Sequence, residues 1–310
     1  MARTFRTCPL RAALIFWAGL VCAAFAQTDS DPADVTLRSN VNEVRVAFST
    51  TDENNRVVAT VQPTDFAIVD QDRVVREFRS FGRSEYTRMD VVVLVDASGS
   101  VTPQFRKEFS HVVQLIAETQ NLPDESFAVV SFRDLKPSVV CDGNCRELHI
   151  EAKFPVVSSG GPTPLYDSIV FASQMLEGRG DLHTRRILVL FSDGADTISM
   201  KSFTDAMNSA LDNDVAIYSV DVSNPGYVSS GALVLRSFAA NTGGRYFPIK
   251  DGTRTVLDAI LEDFRATYIV TYKLPSHVAG FHQLGILPTH DLGLHFHCRR
   301  GYYYPGNPEN

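Results

Sequence analysis

Past its first 26 residues the sequence lacks an apolar run long enough to cross a bilayer as a helix, which takes about 20 residues. Nucleotide fingerprints are missing too. There is no G-x-x-x-x-G-K-[ST] loop to cradle phosphates and no G-x-G-x-x-G turn. No G-x-S-x-G elbow presents a nucleophilic serine. Positive charge is in deficit: the chain has 29 basic and 36 acidic side chains. Residues 27–310 lose Arg3, Arg6 and Arg11 but no acid, which leaves a formal charge of −10. Nucleic acid and anionic lipid are therefore poor partners. Cysteine is sparse as well, with only Cys141, Cys145 and Cys298 beyond residue 26. A zinc site takes about four ligands, and the Cys141–Cys145 pair alone does not supply them.

The first 26 residues have the layout of a secretory signal. Three arginines precede an apolar stretch from Ala12 to Cys22, and Ala24-Phe25-Ala26 offers a small-x-small cleavage site before Gln27. This predicts a mature chain that is secreted, periplasmic or held at the cell surface. Val21 is bulkier than lipid attachment at Cys22 normally tolerates. In an oxidising compartment, Cys141 and Cys145, which bracket an Asp-Gly-Asn turn, are candidates for a local disulfide, with Cys298 left over.

Residues 27–40 are polar and without period, and read as a flexible leader. From 41 to 85 short alternating stretches (VNEVRVAFS, RVVATV, DFAIVD, RVVREFRSF) predict an antiparallel β segment. The texture changes at 89. MDVVVLVD and RRILVLFSD are near-continuous apolar runs, as expected of parallel strands covered on both faces. Helical stripes alternate with strands up to 265, with Thr163-Pro164 opening one helix and Asn241-Thr-Gly-Gly closing another. The expected fold is therefore α/β with a doubly wound, mainly parallel sheet. After 266 the texture is β again, in ATYIVTYKL and LGLHFHCRRGYYY. Residues 266–304 are expected to pair with 41–85 in a small β-sandwich, with 89–265 inserted between its halves.

In a doubly wound sheet, loops at the carboxyl ends of the strands converge on one crevice. Three such loops here are rich in oxygen: DASGS with Asp96, Ser98 and Ser100; SSGGPTPLYDS with Thr163; and FSDGAD with Asp193 and, close by, Asp196. Two carboxylates and three hydroxyls, without His or Cys, describe a hard-cation site for Mg²⁺ or Mn²⁺.

D-x-S-x-S, a Gly-Gly-(Pro)-Thr segment and S-D-G in this order resemble the metal-ion-dependent adhesion site of von Willebrand factor A domains, over roughly residues 89–265. The V-x-V strand, Pro63, Asp65 and Phe66, and the ending from Arg299 to Tyr303 resemble a narrower group, the VWFA-related acidobacterial-type secreted proteins. The resemblance implies that Ser98, Ser100 and Thr163 touch the metal directly, and that Asp96 and Asp193 act largely through waters or hydrogen bonds. It implies a partner protein supplying an acidic side chain. Pro162, between Gly161 and Thr163, departs from the family pattern.

Each loop also has an ordinary reading. Asp96 and the serines suit a helix N-cap, Thr163 before Pro164 suits another, and Asp193-Gly194 suits a turn. Five of the eight histidines lie in the last 34 residues, and His295 and His297 share a strand face as a candidate transition-metal pair or a solvated surface. Arg179-Gly180-Asp181 is a tripeptide of a kind that arises by chance. A phosphatase of the dehalogenase type would carry a second aspartate where Ser98 stands. The sequence thus predicts a non-enzymatic, metal-dependent binding module. The alternative is a scaffold component of a cell-envelope assembly, with a vestigial or structural metal.

Overall fold

The computed structural model describes residues 43–84, 87–98, 126–143, 145, 161–179, 183–223 and 230–306, with the backbone alone at 251. The signal segment, the leader, Ser100 and the helix expected after Thr102 lie outside the described residues.

Strand β5 (Met89–Asp96) is buried at every position and lies near the middle of a six-stranded sheet. Its neighbours are β6 (Phe127–Arg133) and β8 (Arg185–Ser192), both parallel to it. Beyond β8 come β9 (Val215–Asp221) and β10 (Tyr246–Pro248), also parallel. Beyond β6 comes β7 (Lys136–Asp142), the one antiparallel member. Successive side chains point to opposite faces, so an unbroken apolar run feeds two cores. Val91, Val93 and Val95 pack with Val189, Phe191 and helix α4 (Thr253–Ala266) through Leu257, Ile260 and Phe264. Val92 and Leu94 pack with α1 (Leu165–Glu177), α2 (Phe203–Asp212) and α3 (Ser230–Thr242). Helix α2 starts on a capping box, in which Ser202 and Asp205 satisfy each other's backbone amides. The doubly wound sheet expected from the sequence is present.

The strands outside 89–265 form two four-stranded antiparallel sheets. One is ordered β13 (His295–Cys298), β1 (Glu43–Thr51), β11 (Tyr268–Lys273), β4 (Phe78–Arg83). The other is ordered β14 (Gly301–Tyr304), β12 (Gly280–Pro288), β2 (Phe66–Asp70), β3 (Arg73–Val75). Val46, Phe48, Phe66, Ile68, Val270 and Tyr272 belong to one buried core drawn from both groups of strands.

Three details depart from expectation. Strand β12 was not anticipated, because Gly280 and Gly285 interrupt the run and a histidine, His282, occupies one of its inward positions beside Leu284 and Ile286. LGLHFHCRRGYYY is two strands in different sheets, broken at Arg299-Arg300. RVVATV contributes a single bridge, Val57 to Thr51, and otherwise runs as coil toward Val61, whose amide donates to the Tyr268 hydroxyl at 3.0 Å.

A buried polar network joins the sandwich to the base of the central sheet. Arg185, at the start of β8, donates to the Phe264 carbonyl and the Thr267 hydroxyl, both at 2.9 Å. Arg245 pairs with Asp263 at 3.2 Å, both side chains being buried. Asp263 also accepts from the Tyr218 hydroxyl of β9 at 2.7 Å and the Ser49 hydroxyl of β1 at 3.2 Å. Burial and the Asp263 charge push the Tyr218 hydroxyl well above its ordinary value, so it remains a donor. Cys141 and Cys145 are disulfide-bonded, and the Cys298 thiol is pushed up to about 11 by burial. Among the described residues no helix is long and apolar enough to cross a membrane.

Candidate metal site

Parallel strands deliver their polar terminal residues to one end of the sheet. Strand β5 ends on Asp96, which is 1% exposed, and β8 ends on Ser192, followed by Asp193. The two ends are tied together: Ser192 Oγ donates to Asp96 Oδ2 at 2.8 Å and accepts from the Gly194 amide at 3.0 Å. Asp96 Oδ1 accepts from the Ser98 amide at 2.8 Å, turning the chain sharply where the apolar run stops. Asp193 Oδ1 accepts from the Ala195 amide at 3.0 Å in a similar turn.

Thr163 is attached to the Asp193 loop. Its amide donates to Thr197 Oγ1 at 2.7 Å, and its carbonyl accepts from the Thr197 amide at 2.9 Å. The N-cap of α1 is Pro164, which has no capping side chain, and the first-turn amides of Tyr166 and Asp167 donate instead to Asp196 Oδ1 and Ser199 Oγ, so Thr163 does not play the capping role that its position before a proline implies. The Pro162 carbonyl accepts from the Asp134 amide at 2.9 Å, which pins this loop to the β6–β7 turn. The start of α3 abuts the site through glycines. Gly231, in the first turn of α3, lies so close to the Asp193 loop that a Cβ there would meet the Asp193 carbonyl at 2.1 Å. At Gly194 (φ 77°) a Cβ would meet the Gly231 carbonyl at 2.2 Å. Both positions exclude any larger residue.

The electrostatics are unusual for a buried acid. The Asp96 carboxyl is pushed from its ordinary 3.8 up to about 6, chiefly by burial, with the nearby Asp193 charge adding to it. Hydrogen bonds from Ser98 and Ser192 oppose the rise. Among the described residues no Lys or Arg acts on it. A buried carboxylate bonded by Ser98 and Ser192, with a second acid beside it, is an arrangement that a small hard cation relieves. Among the described residues no group of three or more His, Cys, Asp and Glu could hold a metal ion, so the ligands these residues offer at this end are hydroxyl and carboxylate oxygens.

Of the residues singled out in the sequence, Asp96, Ser98, Thr163 and Asp193 are thus placed on loops that bond one another, directly or through one residue, at the carboxyl end of the sheet. Ser100 lies outside the described residues. Asp196 faces away into a supporting role, accepting from the Ser199 hydroxyl at 2.5 Å and the Tyr166 amide at 3.3 Å. Ser192, Thr197 and Gly231 escaped the sequence reading. Ser192 offered a signal, since it is the hydroxyl of the S-D-G motif and closes a strand beside Asp96. The histidines do not converge: His295 is exposed, while His297 bonds the Thr51 hydroxyl at 2.9 Å and is pushed down to about 4 by burial. Arg179 pairs with Asp142, and the rest of its tripeptide lies outside the described residues.

A doubly wound domain with D-x-S-x-S, threonine and S-D-G loops at one end of its sheet belongs to a definable class. Residues 91–195 match the von Willebrand factor type A domain family, and the chain carries a domain of that family. No curated protein matches in sequence. Among solved structures, similarity extends to an aerotolerance-related membrane protein from Bacteroides fragilis, at 14% identity and TM-score 0.43, over 57% of this chain and 98% of that one. It extends to BatB from Bacteroides thetaiotaomicron, at 13% identity and TM-score 0.42, over 56% and 98%. Proximal thread matrix protein 1 of the mussel byssus, determined with a zinc-occupied MIDAS motif, is similar at 15% identity and TM-score 0.44, over 58% of this chain and 48% of that one.

Proposed function

We propose that the chain is a secreted or envelope-exposed binding module of the VWFA-related acidobacterial type. Its domain at 89–265 holds Mg²⁺ or Mn²⁺ through Asp96, Ser98, Ser100, Thr163 and Asp193, and uses it to engage a carboxylate of a partner protein. The observation that carries this reading is the Asp96 carboxylate, 1% exposed, hydrogen-bonded by Ser98 and Ser192 and, among the described residues, acted on by no basic side chain. Bound there, the cation would supply Lewis acidity toward an incoming carboxylate. The chain's own residues do the positioning: Ser192 and the Ser98 amide orient Asp96, and Thr197 fixes the Thr163 loop. The carboxylate beside the Ser192 hydroxyl, Asp96, is assigned to the cation in this reading, which makes the site one for binding rather than turnover.

Isothermal titration of Mg²⁺, Mn²⁺ and Zn²⁺ into the metal-stripped mature chain, beside its Asp96→Ala form, tests this reading. One site in the wild type alone supports it. The scaffold alternative draws on exposed apolar residues of the sandwich, such as Leu287 and Leu292. It predicts partner binding that survives Asp96→Ala with Ser98→Ala in a folded protein.

A further inference from the structure

Single exposed apolar side chains are ordinary on a protein surface. Three here are not scattered. Leu135 is 71% exposed at the tip of the β6–β7 turn, next to Asp134, whose amide is bonded to the Pro162 carbonyl. Met200 is 94% exposed on the loop after Asp193, its amide donating to Asp167 Oδ2 at 3.0 Å at the start of α1. Leu233 is 70% exposed in the first turn of α3, two residues from the glycine packed on the Asp193 loop. Each sits on a different segment, and all three segments are fastened to the Thr163 and Asp193 loops.

Two acids stand together at the site: Asp96 is buried and Asp193 is partly exposed, whereas Asp134, in the turn that carries Leu135, is paired with Arg133 at 3.5 Å. Asp96 and Asp193 would repel a partner's acidic side chain arriving without a cation, so the cation decides whether it enters. One ionic contact in water is weak, and lasting association needs apolar burial around it. Leu135, Met200 and Leu233 offer that burial from three separate segments.

We infer that this face selects a protein segment in which an aspartate or glutamate is flanked by large apolar side chains. The inference rests on the metal-dependent carboxylate reading above. The test uses synthetic peptides with one Asp or Glu flanked by Leu and Phe, or by Ser and Gln, titrated onto the full mature chain with Mg²⁺ or with EDTA. The expected result is Mg²⁺-dependent binding at least about tenfold tighter for the apolar-flanked peptides. The gap should close in a Leu135→Ser, Met200→Gln, Leu233→Ser variant whose melting and Mg²⁺ titration match the wild type. Equal Mg²⁺-dependent binding of both peptide classes overturns the selectivity and leaves the carboxylate reading standing. A preference that persists in the triple variant overturns the assignment to these residues. Absence of Mg²⁺-dependent binding to any peptide overturns both.

Discussion

Replacing Asp96 with asparagine should stabilise the metal-free protein at neutral pH while removing its affinity for divalent cations. The Asp96 carboxyl is pushed from 3.8 to about 6 in the folded chain, so the folded state holds that proton more firmly than the unfolded state does. Stability from this group is therefore fully present below about pH 4 and is lost as the pH rises through about 6. At about 1.4 kcal/mol for each tenfold change in proton affinity, ionised Asp96 costs the fold about 3 kcal/mol at pH 7.5. Asparagine preserves the acceptor for the Ser98 amide and carries no charge. Its amide group can donate to Ser192 Oγ once that hydroxyl turns away.

Urea unfolding in EDTA at pH 4.5 and pH 7.5 gives the comparison. The stability of Asp96→Asn relative to wild type should rise by about 2 kcal/mol between the two pH values, since at pH 4.5 roughly two thirds of the penalty is absent. Saturating Mg²⁺ at pH 7.5 should then stabilise the wild type alone, by mass action. A difference between the two proteins that does not change with pH would show that the buried carboxyl is not the source of the penalty. Recovery of both proteins with Mg²⁺ would place the cation elsewhere.

Three further outcomes follow from the packing. Gly231→Ala forces a Cβ to 2.1 Å from the Asp193 carbonyl, so the loop must move. Stability should fall by about 3 kcal/mol or more with loss of the Mg²⁺ titration, both read on the same preparation. Asp263→Asn or Arg245→Met alone leaves a buried partner uncompensated and should cost about 3–5 kcal/mol in urea unfolding. The double variant should cost much less than the two singles added, and additivity would refute the coupling. Tyr302→Phe removes one of two hydroxyls that donate to the buried Asp70 carboxylate at 2.7 Å. It should cost about 1.5–3 kcal/mol without altering metal affinity, because Asp70 lies in the sandwich rather than at the site.

What was readable in the sequence follows a physical division. Strands β5 and β8 were legible because burial on both faces leaves an uninterrupted apolar run, and a polar residue can appear only where the strand leaves the core. That same break exposed Asp96 and Asp193. Ser192 was visible only as the first residue of S-D-G; its role was not, since a serine at the last buried position of a strand looks like a tolerated small residue until its hydroxyl is seen bridging Asp96 and Gly194. Strand β12 was hidden by its own chemistry. His282 takes an inward position because its ring bonds the Val278 carbonyl at 2.7 Å and packs against Tyr302, a partnership no local pattern encodes. Thr163 misled in the opposite direction: the helix begins one residue later than Thr-Pro implies, and the threonine's backbone is spent on Thr197.

The two ends of the central sheet do different work for one reason. At the base, Arg245 pairs with Asp263 and Arg185 donates to the Phe264 carbonyl and the Thr267 hydroxyl, so each buried charge has a bonded partner and the sandwich is fastened through Ser49 and Thr267. At the opposite end no base among the described residues acts on Asp96, and no larger residue fits at Gly194 or Gly231 to relax the loops away from it. A chain selected only for stability would place an arginine or an asparagine beside such a carboxylate. Here hydroxyls bond to it instead, which orients the charge without cancelling it. The penalty held at this end is therefore available to a cation, and the hydrogen-bonded base anchors the sheet that carries it.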